Sequence, residues 1–155
     1  MNKALLLIIV LAVGIGIGWG FTQWKEKNPK LPEVEIPPEH PLIHLDYPKP
    51  GDLVTSPLTL RGEARGNWYF EASFPITLTN WDGLIIKQHY GMATEEWMTE
   101  EFVPFEATLE FENPYKPGDP EFMRRGNLIL HKDNPSGLPE YDDAYEIQIF
   151  FGEQP

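Results

Sequence analysis

Between Leu58 and Leu78 the chain alternates, and that alternation limits what it can fold into more than any other feature. Leu58, Leu60, Gly62 and Ala64, then Phe70, Ala72, Phe74, Ile76 and Leu78, stand at even positions. Thr59, Arg61, Glu63, Arg65, Glu71, Ser73 and Thr77 stand between them. A period of two puts one set of side chains on each face of a strand, so one face is buried and the other is wet. Arg65-Gly66-Asn67 interrupts the pattern as a turn between two such strands.

The same pattern continues along the chain. Ile43–Tyr47 reads as a first strand, followed by a Pro48-Lys49-Pro50-Gly51-Asp52 turn. Val54–Ala64 reads as a second strand, with Pro57 near its start, and Trp68–Asn80 as a third that Pro75 breaks or places at an edge. Asn80-Trp81-Asp82-Gly83 is a hairpin turn, Leu84–Tyr90 returns from it, and Gly91–Glu101 reads as a polar loop. Val103, Phe105, Ala107, Leu109 and Phe111 alternate, from Phe105 on, with Glu106, Thr108, Glu110 and Glu112. Asn127–Lys132 and Tyr145–Phe151 close the series. About seven short strands with no helix after residue 24 predict an all-β, two-sheet sandwich, each sheet burying one apolar face.

The N-terminal part is different in kind. Ala4–Phe21 contains no charged or polar side chain, and Lys25 is the next charge. A spanning helix needs about 20 residues, so residues 1–24 are read as a transmembrane anchor, with Trp19 and Trp24 near the interface. A signal peptide cut after Gly20 is the other reading of the same run. Gly14/Gly18 and Gly16/Gly20 are at the spacing of close helix pairs, although glycine is common in membrane segments. Residues 25–42, with five prolines, read as an extended linker, leaving 43–155 as the folded domain.

Charge and cysteine count exclude several functions. The net charge is −12, and residues 43–155 hold eight Lys and Arg against twenty Asp and Glu. Such a domain repels phosphate backbones and anionic lipid headgroups, so nucleic acid is not an expected partner. With no cysteine, disulfides, thiolate metal sites and a thiol nucleophile are excluded together.

The candidate sites are few. His40, His44, His89 and His131 are scattered, without metal-ligand spacing. Ser56, Ser73 and Ser136 lack the context of a nucleophile elbow. Glu140, Tyr141, Asp142 and Asp143, with Asp133 and Asn134, offer oxygen ligands to calcium, but a run of charges is more simply a solvated face. No cofactor is expected, calcium being the one cation for which a case exists. Trp68, Trp81 and Trp97, with Tyr69, are the candidate binding surface, as rings able to stack on sugars or anchor a protein; the equal alternative is that one tryptophan fills the core and the others cap its ends.

One set of residues carries a family resemblance. Pro48, Pro50, Gly51, Val54, Ser56, Pro57, Leu58, Leu60, Gly62 and Ala64, followed by Phe70-Glu71-Ala72, resemble the immunoglobulin-like domain of bacterial spore-germination proteins. Weaker similarity runs on to residue 151. The resemblance implies an immunoglobulin-like sandwich on exported or membrane-attached bacterial proteins, with no catalytic residues. On residues alone, Gly62 and Ala64 are small to let backbones approach, and Pro57 blocks edge pairing. The expectation is a non-catalytic, membrane-tethered extracytoplasmic module that binds a protein at sheet edges or end loops. Its alternative is cell-wall glycan binding through exposed aromatics.

Overall fold

The computed structural model describes residues 33–152. The expected anchor and residues 25–32 of the linker lie outside them. No helix among the described residues is long and apolar enough to cross a membrane.

Eight strands form the domain: β1 (Ile43–Tyr47), β2 (Leu53–Val54), β3 (Leu58–Arg65), β4 (Ser73–Asn80), β5 (Ile85–Ala93), β6 (Phe102–Leu109), β7 (Arg125–His131) and β8 (Ala144–Phe151). Their hydrogen-bonded order is β1-β3-β6-β5-β4-β7-β8-β2. All neighbours are antiparallel except β2 and β8, which run parallel. The expected pair of separate sheets is therefore one curled sheet. The join is slight: β5 meets β6 only at Met92–Glu106 and Ala93–Phe105.

The alternation explains the curl. Leu58, Leu60 and Ala64 of β3 and Val103, Phe105, Ala107 and Leu109 of β6 are buried. They share a single core cluster with Phe74, Ile76, Leu78, Leu128, Leu130, Ile147, Ile149 and Phe151 from the other half of the sheet. Burying both apolar faces at once requires the sheet to fold over itself. Phe74 and Phe105 meet edge-to-face across this core, ring centroids 4.9 Å apart. Gly62 lies between Leu45 of β1 and Phe105 of β6. A Cβ there would run into the His44 carbonyl oxygen and come within 2.9 Å of the Phe105 ring.

Three local expectations are corrected. The stretch read as a second strand divides at Thr55-Ser56-Pro57. Leu53–Val54 pairs with β8, whereas Leu58–Arg65 pairs with β1 and β6, so the chain crosses from one half of the sheet to the other. Pro57 has no N–H to continue a ladder through that crossing. Before β4 the chain makes a single 3-10 turn at Gly66–Trp68 and then a tight turn. Phe70 and Ser73 exchange backbone hydrogen bonds at 2.9 and 3.1 Å around Glu71 and Ala72, whose φ values are 49° and 61°. Two positive φ values in a two-residue turn are the I′ geometry, so Phe70 and Ala72 leave the expected inward phase, and Phe70 is exposed. Finally, β4 is an interior strand despite Pro75. Its ladder to β7 begins at Ile76, so no β7 hydrogen bond is needed at the proline.

The connections sort to two ends. Loops 66–72, 94–101 and 132–143 lie at one, where Gly66 N donates to Glu101 O and Asp133 N to Trp68 O. Turns and loops 48–52, 55–57, 81–84 and 110–124 lie at the other, where Phe111 N donates to Ser56 Oγ.

Residues that read as the end of the linker pack on the domain. Val34 lies against Gly51, which donates its N–H to Gln148 O at 2.8 Å. His40 sits edge-to-face on Trp68 at 5.1 Å and contacts Asp143 at 3.2 Å. The compact unit accordingly starts at Glu33.

Candidate functional site

The three tryptophans do not form one surface. Trp68 is fully buried, a correction to its place among the exposed aromatics. The 3-10 turn sets it there: Gly66 lies so close to the Trp97 and Thr99 carbonyls that a Cβ would overlap them, and this pins the turn over the core. Tyr69 is buried beside it and donates its hydroxyl to Val103 O at 2.6 Å. Trp97, half-buried, packs on the core from the 94–101 loop. Trp81 is exposed at the opposite end, edge-to-face with Phe122 at 5.1 Å.

Tyr69 has a pH signature. Burial raises its phenol far above the ordinary value of 10.0, with the nearby Glu63 carboxylate adding to the rise. The folded state keeps a proton that the unfolded chain sheds above pH 10, so this contribution is intact below pH 10 and lost as pH rises through the folded pKa. Urea midpoints taken from pH 8 to 11.5 are expected to fall at the alkaline end. Tyr69→Phe is expected to flatten that fall and to cost about 1 kcal/mol at neutral pH from the lost hydrogen bond. An unchanged slope would exclude Tyr69 as the cause.

The histidines, serines and carboxylates are placed separately. His44 contacts Glu63 at 3.1 Å and stacks on Phe102, while His131 contacts Thr77 Oγ1 at 3.2 Å. Ser73 Oγ donates to Phe70 O, and Ser136 Oγ bonds Asn134. In the stretch considered for calcium, Asn134 Nδ2 donates to Asp142 Oδ1 at 2.7 Å, and Asp143 turns to His40. Asp133 has its carboxyl raised, first by burial and then by Glu71. No three His, Asp or Glu side chains converge as a metal set among the described residues.

The positions that carry the resemblance are structural. Lys49 N donates to Asp52 Oδ2 at 2.7 Å and Asp52 N to Lys49 O, closing the Pro48–Asp52 turn around Gly51 at φ 86°. Ser56 holds Phe111, Gly62 and Ala64 are buried in β3, and Phe70 and Glu71 belong to the I′ turn. A family model describing the immunoglobulin-like domain of bacterial spore germination matches residues 42–123. The chain belongs to that family. The match covers β1 to β6 and most of the 3-10 turn Glu121–Arg124 that follows, and β7 and β8 lie beyond it. Membership points to a non-catalytic module. No curated protein and no solved structure matches the chain.

The two outward faces of this domain differ. Over β1, β3 and β6 the face is charged, with Arg61–Glu106 at 3.0 Å and Arg65 lying over Phe102 at 4.1 Å. Over β5, β4 and β7 it is nearly uncharged. Met92, Tyr90, Gln88 and Ile85 stand opposite Ser73, Pro75, Thr77 and Thr79, and Ile129 and Asn127 follow on β7. Ile85, Tyr90 and Met92 are each half-exposed or more. A bulge creates this row. Lys87 pairs with Leu78 but Ile85 pairs with Thr79, so Ile86 is the extra residue and Ile85 rotates onto the face of Tyr90. Sequence reasoning missed the row because unbroken alternation places Ile86 there instead. The Ile85-Ile86 doublet was its only trace.

Beyond the join at Met92–Ala93, β5 has no strand partner on its β6 side among the described residues. The opposite seam, between β1 and β8, is partly filled. Ile36, Pro37 and His40 line a groove of about 260 Å³ there with Leu45, Tyr145 and Ile147.

Proposed function

We propose that this chain is a membrane-tethered extracytoplasmic module that binds a protein through the outward face and free edge of β5. The observation that carries this reading is the uncharged row Ile85–Gln88–Tyr90–Met92 beside an unpaired strand edge. An interface core is depleted in charge and enriched in Tyr and Met, and an unpaired edge offers a second strand its backbone groups. Tethering rests on the uncharged Ala4–Phe21 run.

The test is a photo-cross-linker at position 88 in the full chain, in cells. A cross-link to one protein that survives glycan digestion, and that falls about tenfold or more in a Tyr90→Asp/Met92→Asp variant of unchanged stability, supports it. Such surface changes are expected to move stability by no more than about 0.5 kcal/mol each. An undiminished cross-link would place the interface elsewhere. Cell-wall glycan binding is the second reading, favoured by the exposed Trp81 ring. Retention on purified peptidoglycan that Trp81→Ala abolishes would support it instead.

A further inference from the structure

The two ends of the domain differ in charge and in exposed apolar surface. Loops 66–72, 94–101 and 132–143 hold nine carboxylates and one lysine. Loops 48–52, 55–57, 81–84 and 110–124 hold six carboxylates and three cations, so this end is far closer to neutral. At the neutral end, Trp81 and Leu84 project from the β4–β5 turn, with Phe122 against the indole, and the three are 42%, 68% and 45% exposed. Nothing in the domain requires them to be exposed: Asn80 Oδ1 closes the turn by accepting from Asp82 N and Leu84 N.

The described chain starts midway between the two ends. Val34 lies against Gly51, level with Gln148, while His40 reaches Asp143 and Trp68 at the acidic end. The segment 34–40 thus runs from the middle of the sheet to the acidic end before β1 turns back. Between the uncharged N-terminal run with its Trp24 and the first described residue stand residues 25–32. Eight residues span at most about 28 Å, roughly the length of the domain's own strands.

From this we infer that the Trp81–Leu84–Phe122 tip docks on a lipid surface. This inference rests on the tether proposed above. Indole and large apolar side chains are favoured at the headgroup level, and a short tether keeps the tip at high effective concentration over the bilayer. The orientation also satisfies electrostatics. Nine carboxylates face away from the lipid by several Debye lengths, where an anionic leaflet repels them little. The reverse orientation would press them against it. The tip is distinct from the β5 face, so a tip-down domain leaves that face open sideways to a partner.

The absence of cysteine makes the test direct. Leu84→Cys and Ser136→Cys full chains are nitroxide-labelled and reconstituted in phosphatidylcholine vesicles. Collision rates with oxygen and with a water-soluble nickel chelate are then read by electron paramagnetic resonance. The expected result is an oxygen-to-nickel ratio that rises at 84 on reconstitution and stays at its aqueous value at 136. If the chain floats with the vesicles while the label at 84 remains as aqueous as at 136, docking is overturned and the tether stands. A label at 84 shielded from both reagents is covered by protein, a second copy included, and also overturns docking. A chain that fails to float removes the tether, and docking with it.

Discussion

Trp68→Ala is expected to cost the domain about 3–5 kcal/mol, a large share of the stability of a domain this size. The indole is fully buried, and few neighbours can move into its space. On one side its turn is fixed by the contact of Gly66 with the Trp97 and Thr99 carbonyls. On another its carbonyl accepts from Asp133 N at 3.0 Å. His40 lies on its ring at 5.1 Å, so the loss also unseats the segment that precedes β1. Trp68→Phe separates packing from polarity. The Trp68 Nε1 is buried without a hydrogen-bond partner among the described residues, so phenylalanine removes an uncompensated donor along with some volume. These two effects oppose each other, and the net change is expected to stay within about 1 kcal/mol. Urea unfolding of the three proteins decides it: a Trp68→Ala midpoint close to the parent's would mean that the turn collapses over the gap and that this residue does not hold the end of the core.

What the sequence shows of this fold is what local pattern controls. β1, β3 and β6 are visible as alternation because their outward faces are wet and charged, so every second residue is marked. The Asn80–Gly83 turn is visible because its chemistry is local: one Asn side chain caps two backbone N–H groups. The rest depends on contacts far away in sequence. Trp68 reads as the first residue of a strand, and only the contact of Gly66 with the 94–101 loop turns it into the core. Ile85 and Ile86 exchange faces through a bulge that β4 imposes. Leu53–Val54 becomes a strand only because β8 lies alongside it. Glu33–His40 looks like a spacer because its prolines forbid regular structure, yet its Val34 lies against Gly51 and its His40 packs on Trp68. The candidate surface was legible as aromatic composition and illegible as geometry: of the described tryptophans, Trp81 alone is exposed, and its partner Phe122 comes from a loop about forty residues later.

Gly62→Val is expected to release β1 and to cost about 4 kcal/mol, with Gly62→Ala causing a smaller loss of the same kind. Any Cβ at this position overlaps the His44 carbonyl oxygen and stands 3.0 Å from the Leu45 Cα and 2.9 Å from the Phe105 ring. The ring cannot retreat, since it is packed edge-to-face on Phe74 in the centre of the core. Movement therefore falls on β1, which has β3 on one side and no hydrogen-bonded strand on the other. Lifting β1 exposes Ile43 and Leu45, only 1% and 7% exposed in place. At about 1.5–3 kcal/mol for each buried aliphatic side chain, the two account for the expected cost without global unfolding of the remaining strands. Hydrogen exchange distinguishes the two routes. Local release predicts lost protection at His44 and Glu63 while Ile76 and Leu128 stay protected; uniform loss would mean that β1 and the core unfold as one cooperative unit. Unchanged protection in β1, with an unchanged urea midpoint, would show that the strand accommodates the side chain and that Gly62 is not what brings β1 and Phe105 together.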